Sequence, residues 1–290
     1  MGIRSGQSNL TEDIVRSRLM YLVLALSLFG CSGGSSSSSG GGGTPPPTPA
    51  AVAGKWEVVA TSTANPGAAW PNTLIEANLS QTDTSVSAGT AATGLAAFYS
   101  NGSTNWGVEI PSENVCGGTG ETISATVSGQ TFSFTFTETG PSGTYTVTGT
   151  ATVNANGQLM TGTYTSAATC GFPNDSGNIT GTLIGSVAGN YLVTFADEST
   201  ASVTVSEDAN HNITINGTYQ AQAFTLSGEA IGGAVTVSGD IPAFGQDTYY
   251  GAYLTSQLVS FFPQVNNLAT KQGDFLFINS EGSIALVQKQ

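Results

Sequence analysis

The stretch Thr131–Ser166, "TFSFTFTETGPSGTYTVTGTATVNANGQLMTGTYTS", decides the fold class. Phe132, Phe134 and Phe136 alternate with Ser133 and Thr135. A period of two sends successive side chains to opposite faces of a strand, so one face is apolar and buried and the other is polar. "GPSG" (Gly140–Gly143) then reads as a turn, and Tyr145, Val147, Ala151 and Val153 resume the alternation. "NANG" (Asn154–Gly157) is the next turn and "QLMTGTYTS" the next strand. Three strands joined by loops of about four residues make an antiparallel meander.

The same style extends in both directions. "NYLVTFADE", "ASVTVSE", "ITINGTYQ", "AFTLSGEA" and "AVTVSGD" follow one another across short turns, and the chain closes with "DFLFINS" and "SIALVQK". "GKWEVVA" at Gly54 and "GNYLVTF" at Gly189 are weakly alike, as are "TGTYTS" and "NGTYQA". We therefore expect an all-β protein whose strands close into a barrel or stack as a two-sheet sandwich, because one-sided strands must bury a face and protect their edges. The repeats divide it into two related β halves, 54–186 and 187–290. Two stretches, Gly89–Gly107 and Gly251–Gln264, break the pattern. In the second, Leu254, Leu258 and Phe261 are spaced for a short helix, while its β-branched and aromatic content argues for a strand. The "GKWEVV" opening and the final strand together resemble a lipocalin-like barrel.

Upstream of Gly54 the chain changes character. Leu19–Phe29 is an apolar run of 11 residues, preceded by Arg4, Arg16 and Arg18. That is too short for a membrane-spanning helix, which needs about 20 residues, and suits the apolar core of a secretory signal. Leu28-Phe29-Gly30-Cys31 resembles a bacterial lipobox. The resemblance implies that residues 1–30 are removed by signal peptidase II and that a lipid on the Cys31 thiol holds the protein to a bilayer. Ser32 after the cysteine implies sorting to the outer membrane. Residues 32–43 are only Ser and Gly, a flexible coil reaching about 20 Å. Thr44–Pro49 adds a stiffer proline-rich spacer, so 31–53 reads as a tether.

Loss of residues 1–30 leaves Lys55, Lys271 and Lys289 as the basic residues, against 17 acidic ones. Three cations cannot neutralise a row of phosphates, so nucleic acid is excluded as a partner. Attraction to anionic lipid fails for the same reason, and the membrane partner must be reached through the lipid on Cys31. With Cys31 lipidated, Cys116 and Cys170 remain, and an oxidising compartment allows their pairing as a disulfide. Four zinc ligands are not available from those thiols and a single histidine, and no metal or other cofactor is expected.

No catalytic constellation stands out. The G-x-S-x-G match at Gly30–Gly34 straddles the cleavage site and lacks the strand–turn–helix context of a nucleophile elbow. His211 lies in the turn "SEDANHN" with no serine marked as its partner, and reads as a hairpin residue. Asp208, Asn210 and Asn212 have alternate spacing, but Ile213 and Tyr219 stand where a calcium loop needs Gly and Glu. Tyr249, Tyr250 and Tyr253, with Trp106, are the candidate ligand-stacking aromatics. The leading expectation is a non-catalytic binding or structural module. Two alternatives stay open: a carrier of a small apolar ligand, and a carbohydrate-active hydrolase using paired carboxylates. A closed barrel with an apolar cavity speaks for the carrier, and an open groove with facing carboxylates for the hydrolase.

Overall fold

The computed structural model describes residues 47–64, 72–88, 97–100, 106–109, 116, 120–171, 173–195, 197–261, 263–265, 267–279 and 283–290. Cys31 and its lipobox, the signal segment and most of the tether lie outside the described residues. Two closed, antiparallel, eight-stranded barrels follow one another along the chain.

The first is built from β1 (Gly54–Ser62), β2 (Asn72–Thr82), β3 (Ser85–Ala88), β6 (Gly120–Ser128), β7 (Thr131–Gly140), β8 (Gly143–Val153), β9 (Leu159–Ala168) and β10 (Asp175–Ile184). A further hairpin, β4 (Ala97–Ser100) and β5 (Trp106–Glu109), adds to the edge of β2. β1 closes the ring by pairing with β2 on one side and β10 on the other, Val58 lying opposite both Ile75 and Gly181. The β6–β10 run is the expected meander. Its first hairpins are tighter than the sequence suggested, with Gly129-Gln130 and Pro141-Ser142 as two-residue turns. Alternation sends Trp56, Val127, Phe132, Val153 and Met160 inward, each at most 6% exposed. The opposite faces of β7, β8 and β9 carry threonines in register, Thr135, Thr148 and Thr165 among them. Thr148 and Thr165 pair their hydroxyls at 3.0 Å.

Four residues then lead into the second barrel: β11 (Gly189–Thr194), β12 (Thr200–Glu207), β13 (Asn212–Tyr219), β14 (Gln222–Ile231), β15 (Ala234–Ile241), β16 (Gly245–Tyr253), β19 (Phe275–Asn279) and β20 (Ile284–Lys289). β20 returns to β11, with Val193 opposite Val287. Between β16 and β19 the chain makes α1 (Ser256–Phe261) and a small ladder, β17 (Gln264–Val265) with β18 (Leu268–Ala269). The helix forms where helical spacing and β-propensity pointed in different directions. Thr255 caps it by accepting the Leu258 amide at 3.3 Å, one of the donors that a helix start leaves unpaired. Leu254 and Leu258 are buried against Ala252 and Leu276 on the outer wall of the barrel. Among the described residues no helix is long and apolar enough to cross a membrane.

Cys116 and Cys170 form a disulfide with Cα atoms 5.4 Å apart across a sequence separation of 54. It ties the β5–β6 connection to the β9–β10 turn. Closing a loop of that length stabilises the fold by about 4 kcal/mol in the chain-entropy account. The Cys116 amide also donates to the buried Glu138 carboxylate at 2.7 Å.

Candidate functional site: an apolar cavity in the second barrel

The interior of the second barrel is not uniform along its axis. At one end Tyr191, Phe275 and Tyr253 fill it, with the Phe275 ring centroid 5.3 Å from each of the other two. Tyr191 is 1% exposed and donates its hydroxyl to the Val187 carbonyl at 2.7 Å. Burial pushes its pKa well above the ordinary phenol value. This end is sealed.

At the other end the inward side chains leave a cavity of about 140 Å³. Its wall is made by Val193, Val203, Ile215, Leu226 and Val237, with rings contributed by Phe224 and Phe277. Two glycines make room for those rings. A Cβ on Gly217 would come within 2.6 Å of the Phe224 ring, and one on Gly251 within 2.5 Å of the Phe277 ring. Both are cross-strand pairs, Gly217 with Phe224 and Gly251 with Phe277. An aromatic laid over an opposing glycine covers backbone that has no side chain of its own.

The mouth lies at the end of the barrel that carries the β11–β12, β13–β14 and β15–β16 turns, with Asn279 and Ser283 beside it. Phe195, Tyr219 and Phe244 form a ring cluster there with all three centroid separations 5.1 Å. Phe195 and Tyr219 are buried, whereas Phe244 is 45% exposed. Phe244 stands on a tight turn where its amide bonds the Ile241 carbonyl at 2.9 Å and Ala243 takes a left-handed φ of 75°. The Tyr219 hydroxyl is held by Asp197, Ser199 and Gln220. Polar groups at the cavity are few: Asp247, Asn279, Ser283 and the Tyr249 hydroxyl.

The tyrosines singled out in the sequence separate along β16. Tyr249 faces inward and lines the cavity. Burial first, then the nearby Asp247 and Asp240 carboxylates, push its pKa up to about 12. Tyr253, four residues on, faces inward at the sealed end against Phe275. Tyr250 has the opposite parity and faces outward, opposite Thr236 and Ile278. The strand period therefore prevents the three from forming one stacking platform. Trp106 begins β5, and its side chain lies outside the described residues.

The sealed end docks on the first barrel through groups that the sequence did not mark. Lys55, 3% exposed on β1, reaches Glu207 of β12 at 2.5 Å. Glu207 also accepts the Val187 amide at 2.8 Å and meets His211 Nδ1 at 2.9 Å. Burial pushes the Glu207 carboxyl up, but these partners outweigh it and hold it below the usual carboxylate range. His211, read as a hairpin residue, sits in its turn with φ 64°, one-third exposed, and braces this contact. Asp208 accepts the Asn210 and Asn212 amides at 2.8 and 2.9 Å, so the alternate spacing there serves a turn.

Next to the ion pair lie two carboxyl groups, Glu57 and Glu76. They stand directly opposite each other on β1 and β2 and are wholly buried under the second barrel. Thr255 donates to Glu57 Oε1 at 2.5 Å, and the Gly233 amide to Glu76 Oε2 at 2.6 Å. The remaining oxygens, Glu57 Oε2 and Glu76 Oε1, have no hydrogen-bond partner. Both lie within 3.4 Å of the point where a Cβ on Gly233 would sit. Two carboxylates this close in a dry site cannot both ionise, and a proton on one of the two unpartnered oxygens relieves the pair. Burial raises Glu57 to about 7, and burial with the Glu57 charge raises Glu76 well above the usual range. This is a carboxyl pair without access from solvent, positioned as a docking contact.

Toward the β9–β10 end of the first barrel the interior is polar. Asp175 there accepts hydroxyls from Ser62 at 2.6 Å and Tyr164 at 2.7 Å.

No protein-family model matches the chain, and no curated protein matches it. Among solved structures, a protein of unknown function from the DUF3598 family of Nostoc punctiforme aligns with 82% of this chain and 96% of its own. The identity is 13% and the TM-score 0.21, a likeness that assigns neither family nor activity.

Proposed function

We propose that this chain is a non-catalytic, lipid-anchored extracytoplasmic binding protein whose second barrel carries a small apolar ligand. The observation that carries the reading is the apolar cavity of about 140 Å³, sealed at one end and open at the other. A protein interior is otherwise close-packed, and a dry cavity near 150 Å³ is known to take up benzene-sized molecules. Small-molecule sites combine an apolar wall with a few oriented polar groups, which is the composition found here. The carrier reading also gives the sequence a consistent plan. The lipidated Cys31 holds the protein at a membrane, the Gly/Ser tether spaces it, and the sealed end of the second barrel docks on the first, away from the mouth.

The test uses the full chain. Wild type should partition into detergent and Cys31→Ser into the aqueous fraction. The soluble Cys31→Ser protein, analysed by native mass spectrometry, should retain or take up one equivalent of a neutral apolar molecule such as octan-1-ol. Ala285→Trp, which fills the cavity from its rim, should abolish uptake while leaving the far-ultraviolet circular dichroism unchanged. Uptake that survives Ala285→Trp, or no uptake by the unfilled barrel, contradicts the carrier reading.

A further inference from the structure

Charge is distributed unevenly about the second barrel. Lys55, Lys271 and Lys289 are the cations of the described chain, and all three sit at the sealed end. Lys55 is paired with Glu207, and the Lys271 and Lys289 amides both bond Asp274. The mouth carries acids instead. Asp197 and Glu198 occupy the β11–β12 turn, and Asp247 faces inward on β16, two residues before Tyr249. Asp197 is kept ionised by Ser199 and by the Tyr219 hydroxyl, which pull its pKa down. Asp247 and Tyr249 line the same cavity, and the Asp247 and Asp240 charges both push the Tyr249 hydroxyl toward its neutral form.

From this arrangement we infer that the cavity takes an amine-headed amphiphile, its hydrocarbon part among the aliphatic side chains and its ammonium beside the Asp247 carboxylate. This rests on the carrier reading and names the ligand class. A carboxylate-headed ligand such as a fatty acid would bring its charge against Asp247 with no described cation to receive it, and like charges in a partly desolvated mouth repel. A neutral alcohol has neither the gain nor the penalty. The half-exposed Phe244 ring adds a face that favours a cation over an anion.

The experiment is isothermal titration of the full-length Cys31→Ser protein at pH 7 and low salt with three eight-carbon probes: octylammonium, octan-1-ol and octanoate. An alkylamine, like a lysine side chain, is protonated at that pH. Octylammonium should bind about fivefold more tightly than octan-1-ol, and octanoate about fivefold more weakly, the scale of a partly exposed charge pair. Raising the salt should compress that spread. Asp247→Asn keeps the shape of the side chain and should bring the three affinities within about twofold, while Glu229→Gln, exposed on the outer face of β14, should leave the order intact. Octanoate binding as tightly as octylammonium, or an order unchanged by Asp247→Asn, overturns the inference. If octan-1-ol binds and the charge order fails, the carrier reading stands and only the ligand class falls. If none of the three binds, both fall.

Discussion

Raising the pH from 5 to 8 is expected to destabilise this protein through one buried pair, by about 3 kcal/mol for the proton that Glu57 retains. Glu57 and Glu76 face each other under the second barrel, each fully buried. In the unfolded chain both titrate near 4.3. In the folded state Glu57 is raised to about 7 and Glu76 well above its ordinary value. The folded state therefore binds more protons through this window, and stability must fall as pH rises. The contribution is complete below the unfolded value and is lost as pH climbs through the folded one. The lowered carboxyl of Glu207 works with the opposite sign and loses its contribution as pH falls below the ordinary glutamate range. Urea midpoints followed by circular dichroism should thus peak near pH 5 and decline toward pH 8. Glu76→Gln replaces one of the two ionisable members with a neutral amide that can donate to Glu57 Oε2, and it should flatten the decline. A midpoint that is constant or rising from pH 5 to 8, or an equal decline in Glu76→Gln, would refute the shared-proton account of this contact.

The second large effect concerns Lys55. Replacing it with Met should cost about 3 kcal/mol, because Glu207 would be left buried without the ammonium that pairs with it. The side chains of Lys55 and Glu207 are 3% and 4% exposed, so water cannot take the place of the lost ammonium. The pair is not for that reason a large net stabiliser. Removing both charges, as in Lys55→Met with Glu207→Gln, should recover most of the loss, since no uncompensated charge remains. A single variant that loses under 1 kcal/mol would show the pair to be effectively solvated. A double variant no better than the single one would show that the loss comes from packing of the lysine stem.

How far the sequence reaches depends on whether a contact is local. The alternation in Thr131–Ser166 and its counterparts from Asn190 to Asp240 was enough for strands, hairpins and a barrel or two-sheet sandwich, because period two is written in consecutive residues. The Cys116–Cys170 bond followed from elimination among three cysteines. The Gly251–Gln264 stretch stayed open because its helical spacing and its β-branched content disagree. The Thr255 cap and the burial of Leu258 decide it in the structure. Tyr249 was found among the tyrosines, but its role depends on parity within β16, which a one-residue shift in the strand boundary would have reversed. The docking contact was not legible at all. Glu57 reads as a solvent-facing strand residue, and it does face out from its own barrel. What covers it is Thr255, 198 positions away in the chain. Lys55 and Glu207 are 152 apart. No local pattern records such a partner. The cavity was equally hidden, since the aliphatic residues that line it alternate no differently from those that pack the sealed end.

The most direct test of the central claim is to watch the cavity wall itself. In methyl-labelled full-length Cys31→Ser protein, the Ile, Leu and Val methyl resonances report on both barrels at once. Titration with octan-1-ol should move the signals of Ile215, Leu226 and Val237 in a saturable manner and leave Val127, Val153 and Ile179, in the core of the first barrel, unmoved. Methyls of the second barrel that stay fixed to saturation, or shifts that appear only in the first barrel, would contradict the reading of this protein as a carrier of a small apolar ligand.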